Sequence, residues 1–200
     1  MSHARRVVLG VTLAVVLAGI PLLAGGVKVK VLEDKRFDFT GLRTYAWRLD
    51  DVQPVKVLQN TMDDPVQIRR TFEPMILQAV DKELANKGFS RVSSGQPDLY
   101  LDYYLLVGPG VSSQFQGQFI GAVPEWGLPD FMMSTTSLKV YEQGSFIVDV
   151  VSPKEARVVW RGSADAKVDR TRKPAERESI IAEAAAKMLK KFPPKFKKST

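Results

Sequence analysis

Residues 98–108 read DLYLDYYLLVG. Leu99, Leu101, Tyr103, Leu105 and Val107 recur at every second position, which is the period of a strand with one buried face and not that of a helix. Upstream, Asp64-Pro65-Val66-Gln67 has the composition of a helix start: Asp64 as N-cap, Pro65 at the first helical position and Gln67 able to reach back. Ile68, Phe72, Met75, Ile76, Ala79, Val80 and Leu84 then keep a helical spacing as far as Gly88, which supplies the stop. Pro74 lies inside this run and predicts a kink or two consecutive pieces. Further upstream, Val27, Val29 and Val31 alternate with Lys28 and Lys30, and RTYAW puts Tyr45 and Trp47 on one side of a second strand.

Downstream of the opening strand, residues 108–136 (GPGVSSQFQGQFIGAVPEWGLPDFMMSTT) have no sustained period and read as a long loop. Regular structure resumes with SLKVYEQGSFIVDVVSP, a hairpin turning at Gln143-Gly144. In RVVWRGSADAKVD the alternation places Val158, Trp160, Gly162, Ala164, Ala166 and Val168 inside, and Arg161, Ser163, Asp165 and Lys167 outside. A last helix carries Ile180, Ile181, Ala184, Ala185, Met188, Leu189 and Phe192 in one stripe, closed by Pro193-Pro194. Strands joined by short connections favour antiparallel pairing, and two one-sided helices can cover one sheet face. The expected fold is therefore α+β: two layers, a mainly antiparallel β-sheet of about five strands, and two helices packed on one face.

Before all of this, Arg5 and Arg6 precede an uncharged run from Val7 to Ala24, a basic region followed by an apolar one as in an export signal. Eighteen residues would also span roughly 27 Å as a helix, so an uncleaved anchor is the competing reading, and a buried helix of a cytoplasmic protein is a third. Pro21 and the small residues Ala24-Gly25-Gly26 favour cleavage. LLAGG is also similar to a bacterial lipoprotein signal with Gly26 where the lipidated cysteine would stand. The chain contains no cysteine, which excludes thioether lipidation, disulfides and thiolate chemistry. The expected organisation is a signal peptide or anchor at 1–26, one domain at 27–194 and a basic tail at 195–200. Without residues 1–26 the chain has 27 basic and 22 acidic residues, a formal charge of +5. Its only histidine, His3, lies in the first segment, so the remainder cannot assemble a Ser-His-Asp triad, a Cys-His dyad or an ordinary zinc site.

The tracts FDFTGLRTYAW, ELANKGF followed by PDLYLDYYL, FIVDVVSPKEARVVWRGSAD and AKMLKKFPP, in this order, resemble the bacterial "domain of unknown function 4136" family. The resemblance implies an envelope protein, commonly a lipoprotein, with an α+β fold and no established activity or catalytic residues. The sequence departs from it at Gly26 and between Arg48 and Thr61.

Three groups of residues are candidates for function. Asp98, Asp102, Glu125, Asp130 and Asp149 could supply a carboxylate pair for cleavage of an envelope glycan, which needs two acids roughly 5–10 Å apart across a cleft. Asp102 and Asp149 alternate with apolar neighbours, so a solvated sheet face is their simpler reading. Phe115, Phe119, Trp126, Phe131, Met132 and Met133 concentrate apolar surface in the long loop and are the candidate contact for a protein or polymer partner. Lys195, Lys197 and Lys198, after Lys187, Lys190 and Lys191, could meet an anionic membrane surface or polymer, although lysines also complement a helix C-terminus. The expected function is a non-catalytic envelope domain binding a partner, with the glycan hydrolase and a membrane-anchored structural protein as alternatives. No cofactor, metal or nucleic-acid partner is expected, since no motif for one is present.

Overall fold

A computed structural model describes residues 27–49, 54–57, 64–107, 145–165 and 172–195. The elements in chain order are β1 (Lys28–Glu33), β2 (Thr44–Trp47), β3 (Val55–Val57), α1 (Pro65–Ala85), β4 (Ser90–Arg91), β5 (Leu99–Val107), β6 (Ser145–Ser152), β7 (Arg157–Asp165) and α2 (Pro174–Leu189). They form one mixed sheet in the order β1-β7-β6-β5-β2-β4, with β3 also on β5. The long strands β1, β7, β6 and β5 pair antiparallel, whereas β2 and β3 pair parallel to the two halves of β5, and β4 pairs parallel to β2. The α+β class, the two helices and the antiparallel centre are as expected from the sequence. The parallel edge is not, because β3 and β4 are too short to leave a periodic signal. The expected turn at Gln143-Gly144 lies outside the described residues; the hairpin that is described joins β6 to β7 through residues 153–156.

Local chemistry explains the helix ends. Asp64 has extended backbone and its side chain accepts from Val66 N at 2.9 Å, with Pro65 supplying a fixed φ where no hydrogen bond is lost. The C-terminus closes through Gly88 at φ 81°: Phe89 N donates to Leu84 O and Gly88 N to Ala85 O, both at 3.0 Å. Pro74 does not divide α1, which runs unbroken over 21 residues. Pro74 and Arg70 are both exposed, so the Arg70 carbonyl, left without an amide partner by the proline, is on the solvent side.

The helices cover one face of the sheet. All buried residues of α1 and α2 join a cluster with Tyr45, Leu99, Leu101, Tyr103, Leu105, Phe146, Val148, Val150, Val159, Trp160 and Ala164. A β-bulge makes β7 fit. Val150 faces Trp160 but Val151 faces Val158, leaving Val159 as the extra residue. Val158, expected inside with Trp160, is instead buried on the second face beside Val151, because the bulge changes the parity of the strand there. On the edge strand, Val31 stays 40% exposed rather than buried, since its partner across the ladder is Gly162.

Phe192, just beyond α2, holds three connections together. Its ring centroid lies 5.5 Å from Phe39, 5.5 Å from Phe89 and 5.2 Å from Trp160. Trp160 needs room over its neighbour on the strand. A Cβ at Gly162 would stand 2.5 Å from Trp160 Cη2 and 3.2 Å from Met188 Cβ, so glycine is what lets the indole lie between the sheet and α2. Gly162→Ala is expected to destabilise the domain by about 1–3 kcal/mol through overpacking, read as a lowered urea midpoint. A midpoint equal to the parent's would show that Trp160 moves aside freely.

Candidate functional site

The second face of the sheet carries charge where an apolar or solvated surface would be ordinary. In the antiparallel ladders Asp102 of β5 stands opposite Asp149 of β6, and Asp149 stands opposite Arg161 of β7. On the other side of β5, Arg48 continues β2, with its N–H on Leu101 O at 3.0 Å. Arginine, aspartate, aspartate and arginine thus form one row across four neighbouring strands. Strand alternation puts all four on the face opposite the helices.

Each aspartate is gripped by its outer neighbour. Arg161 donates through Nε to Asp149 Oδ1 at 2.5 Å and through Nη2 to Oδ2 at 2.6 Å. Arg48 donates through Nε to Asp102 Oδ1 at 2.9 Å and through Nη2 to Oδ2. These are two forked guanidinium–carboxylate pairs, the geometry in which arginine is strongest and lysine cannot substitute. Both carboxylates have no exposed surface; Arg161 is 4% and Arg48 28% exposed. The Arg48 guanidinium also lies over the Tyr100 ring at 5.5 Å.

The electrostatics follow from burial. Loss of hydration pushes the Asp149 carboxyl up to about 6, with a smaller push from Asp102, while Arg161 and Arg48 oppose the rise. Tyr104, two residues from Asp102 on the same face, is held well above the ordinary phenol range by burial and by both aspartates. On the helix face, burial also raises Tyr103 and Tyr45, helped by their hydrogen bonds to Glu73 and Asp81 of α1, each 2.7 Å long. Asp81 accepts from Trp47 Nε1 at 2.9 Å as well and ties β2 to α1.

Of the five acids that the sequence offers for hydrolysis, the fold therefore brings together two, Asp102 and Asp149. Their solvated reading is wrong: paired arginines allow the row to be buried. Arg161 and Ser163, expected outside, are buried with it. Asp98 lies elsewhere and ties the start of β5 to the start of β2, accepting from Arg43 N, Thr44 N and Thr44 Oγ1 at 2.8–2.9 Å, which holds its carboxyl below the usual range. Glu125 and Asp130 are outside the described residues, as are Phe115, Phe119, Trp126, Phe131, Met132 and Met133. Lys195 is exposed; Lys197 and Lys198 are outside the described residues. Among the described residues no three acidic or histidine side chains are grouped to hold a metal ion. Sequence reasoning noticed both aspartates but not Arg48 and Arg161 as their partners, because pairing depends on strand register.

The row can hold two acids side by side but offers no free carboxylate to a substrate. Its pH signature has a definite sign. With Asp149 raised to about 6 from 3.8, the folded chain binds a proton that the unfolded chain releases between those values. The resulting stabilisation is complete below 3.8 and is lost as pH rises through about 6. Relative to Asp149→Asn, which cannot titrate, the parent is expected to gain stability when urea unfolding is moved from about pH 7 to about pH 5. A difference between the two proteins that stays constant with pH would remove Asp149 as the source.

No curated protein matches the chain. Among solved structures it is similar to a PDZ domain protein from Parabacteroides distasonis, with 18% identity and a TM-score of 0.43 over 86% of this chain and 36% of that protein. It thus spans about a third of that protein's length. A PelC dodecamer from Paraburkholderia phytofirmans is similar at 8% identity and a TM-score of 0.37, covering 81% of this chain and 96% of that one. The family model described as "Domain of unknown function (DUF4136)" matches residues 29–194, and the chain belongs to this family.

Proposed function

We propose that this chain is an exported, non-catalytic domain of the cell envelope that binds a protein or polymer partner through residues 108–136. The observation that carries the reading is the engagement of three of the five acids offered for the competing hydrolase, Glu125 and Asp130 being outside the described residues. Asp102 and Asp149 are buried in forked arginine pairs, and Asp98 is spent on tying β5 to β2. A glycosidase needs one carboxyl free to protonate a leaving group and another to face the sugar, both across an open cleft. Export is supported by Arg5, Arg6, the apolar run and the small residues before Val27. No described helix is long and apolar enough to cross a membrane; the apolar run itself is outside the described residues.

The composition of residues 108–136 motivates the contact. Three Phe, one Trp and two Met are not the content of a passive connection. Replacing residues 108–136 with a short Gly-Ser linker is expected to leave the melting temperature nearly unchanged and to abolish capture of a partner from envelope extract. If those side chains instead pack on the domain, burial at roughly 1.5–3 kcal/mol each makes the replacement strongly destabilising. A large fall in melting temperature would therefore overturn the contact.

Cleavage near Gly26 is expected to appear in the intact mass of protein recovered from its native envelope. Full-length protein in washed membranes would establish the anchor instead, and full-length protein in the soluble cytoplasm would overturn export.

A further inference from the structure

We propose that the end of the fold where α1 and α2 stop is a contact surface for the headgroups of an anionic phospholipid bilayer. The two helices finish side by side. Phe89, just past α1, and Phe192, just past α2, bring their rings to 5.5 Å, and Lys87 Nζ donates to Lys190 O at 3.4 Å. Two stretches a hundred residues apart, 86–89 and 190–195, thereby become one surface. These two stretches carry Lys87, Lys190, Lys191 and Lys195 and no acid; the connection that meets Phe192 through Phe39 adds the exposed Asp38 together with Lys35 and Arg36. Lys190, Lys191 and Lys195 are exposed, and no carboxylate among the described residues pairs with them. Lys187, one turn earlier, is by contrast paired with Glu183 at 2.7 Å.

Complementing the helix dipoles accounts for only part of this charge. That effect is confined to the last turn, where α1 already has Lys82 and α2 has Lys187. Lys191 and Lys195 lie beyond it.

A second contact points to the partner. Lys187 Nζ donates to Val27 O at 3.3 Å, so the basic end of α2 lies against the point where the chain arrives from the apolar run Val7–Ala24. Lys190 and Lys191 follow Lys187 by about 5–6 Å along the helix axis, within roughly one Debye length. While Val7–Ala24 is attached, Val27 stands three residues from an apolar run of spanning length, which suits the negative surface of a leaflet better than a soluble polyanion. The chain beyond Lys195 continues with Lys197 and Lys198, of the same sign. The proposal rests on the envelope placement above, concerns the chain that still carries Val7–Ala24, before cleavage near Gly26, and does not rest on the contact through residues 108–136.

The test uses the full chain and sedimentation with vesicles of phosphatidylcholine alone or mixed with phosphatidylglycerol. The apolar run binds both kinds, so the ratio of the two partition coefficients isolates the charge. The parent is expected to prefer the anionic vesicles, with the preference falling as salt is raised from about 0.1 M to about 1 M. The triple variant Lys190→Ser, Lys191→Ser and Lys195→Ser is expected to weaken that preference by roughly a hundredfold, about fivefold per lysine. These side chains are exposed, and an unchanged melting temperature confirms that the variant is folded. Equal binding of the parent to both vesicles, or a variant that keeps the full preference, would overturn the proposal. So would dextran sulfate bound in preference to anionic vesicles, which would make a soluble polyanion the ligand. None of these outcomes bears on partner capture by residues 108–136.

Discussion

Two arginine–aspartate forks placed back to back on the second face of the sheet are the constraint on which the remaining structure depends. A buried carboxylate is tolerated only when a positive partner and its hydrogen bonds accompany it, and here the two acids face each other across the β5–β6 ladder. Their mutual repulsion is relieved only if each turns outward to its own guanidinium. That requires β2, β5, β6 and β7 to be in one register at the same time. Because side chains alternate with a period of two, a slip of one residue in β6 would send Asp149 to the helix face and strand Arg161 without a partner. Uncompensated buried charge of this kind costs about 3–5 kcal/mol, a large fraction of the stability of an ordinary domain. The forks contribute little net stability against an apolar alternative; their effect is to penalise the wrong registers.

The helix face is built by different means. There the register places Tyr45, Trp47 and Tyr103 where their polar tips reach Asp81 and Glu73 of α1, and the rest is apolar packing closed by Phe192. The two faces meet in β7. Its bulge at Val159 sends both Val159 and Trp160 toward the helices, and Arg161 then falls on the opposite face in line with Asp149. Gly162 leaves room for the indole in the same strand. One strand thus supplies both the seat of α2 and the outermost member of the charge row.

These arrangements separate the parts that hold the domain from those available to a partner. Asp98, Asp102 and Asp149, which looked free in the sequence, are consumed in holding strands together. Among the described residues, exposed lysines without a carboxylate partner collect at the end where the helices stop: Lys190, Lys191 and Lys195. The proposed non-catalytic role accords with a chain that lacks histidine beyond residue 3 and lacks cysteine altogether.

The sequence by itself determined the α+β class, both helices with the Asp64 start and the Gly88 stop, the helix-facing residues of β5 and the family resemblance. Each of these rests on local periodicity or on a capping residue whose physics acts within a few positions. It also exposed the missing side-chain chemistry, since composition alone excludes a thiol and leaves no imidazole beyond His3. Tertiary structure alone decided the parallel pairing of β2 and β3 on β5, the continuity of α1 through Pro74, the bulge at Val159 and the burial of Asp102 and Asp149. Asp149 between Val148 and Val150 has the same alternation whether its face meets water or an arginine from another strand. Only the register that brings Arg161 and Arg48 alongside makes burial affordable, and register is a property of pairs of strands that no single segment encodes.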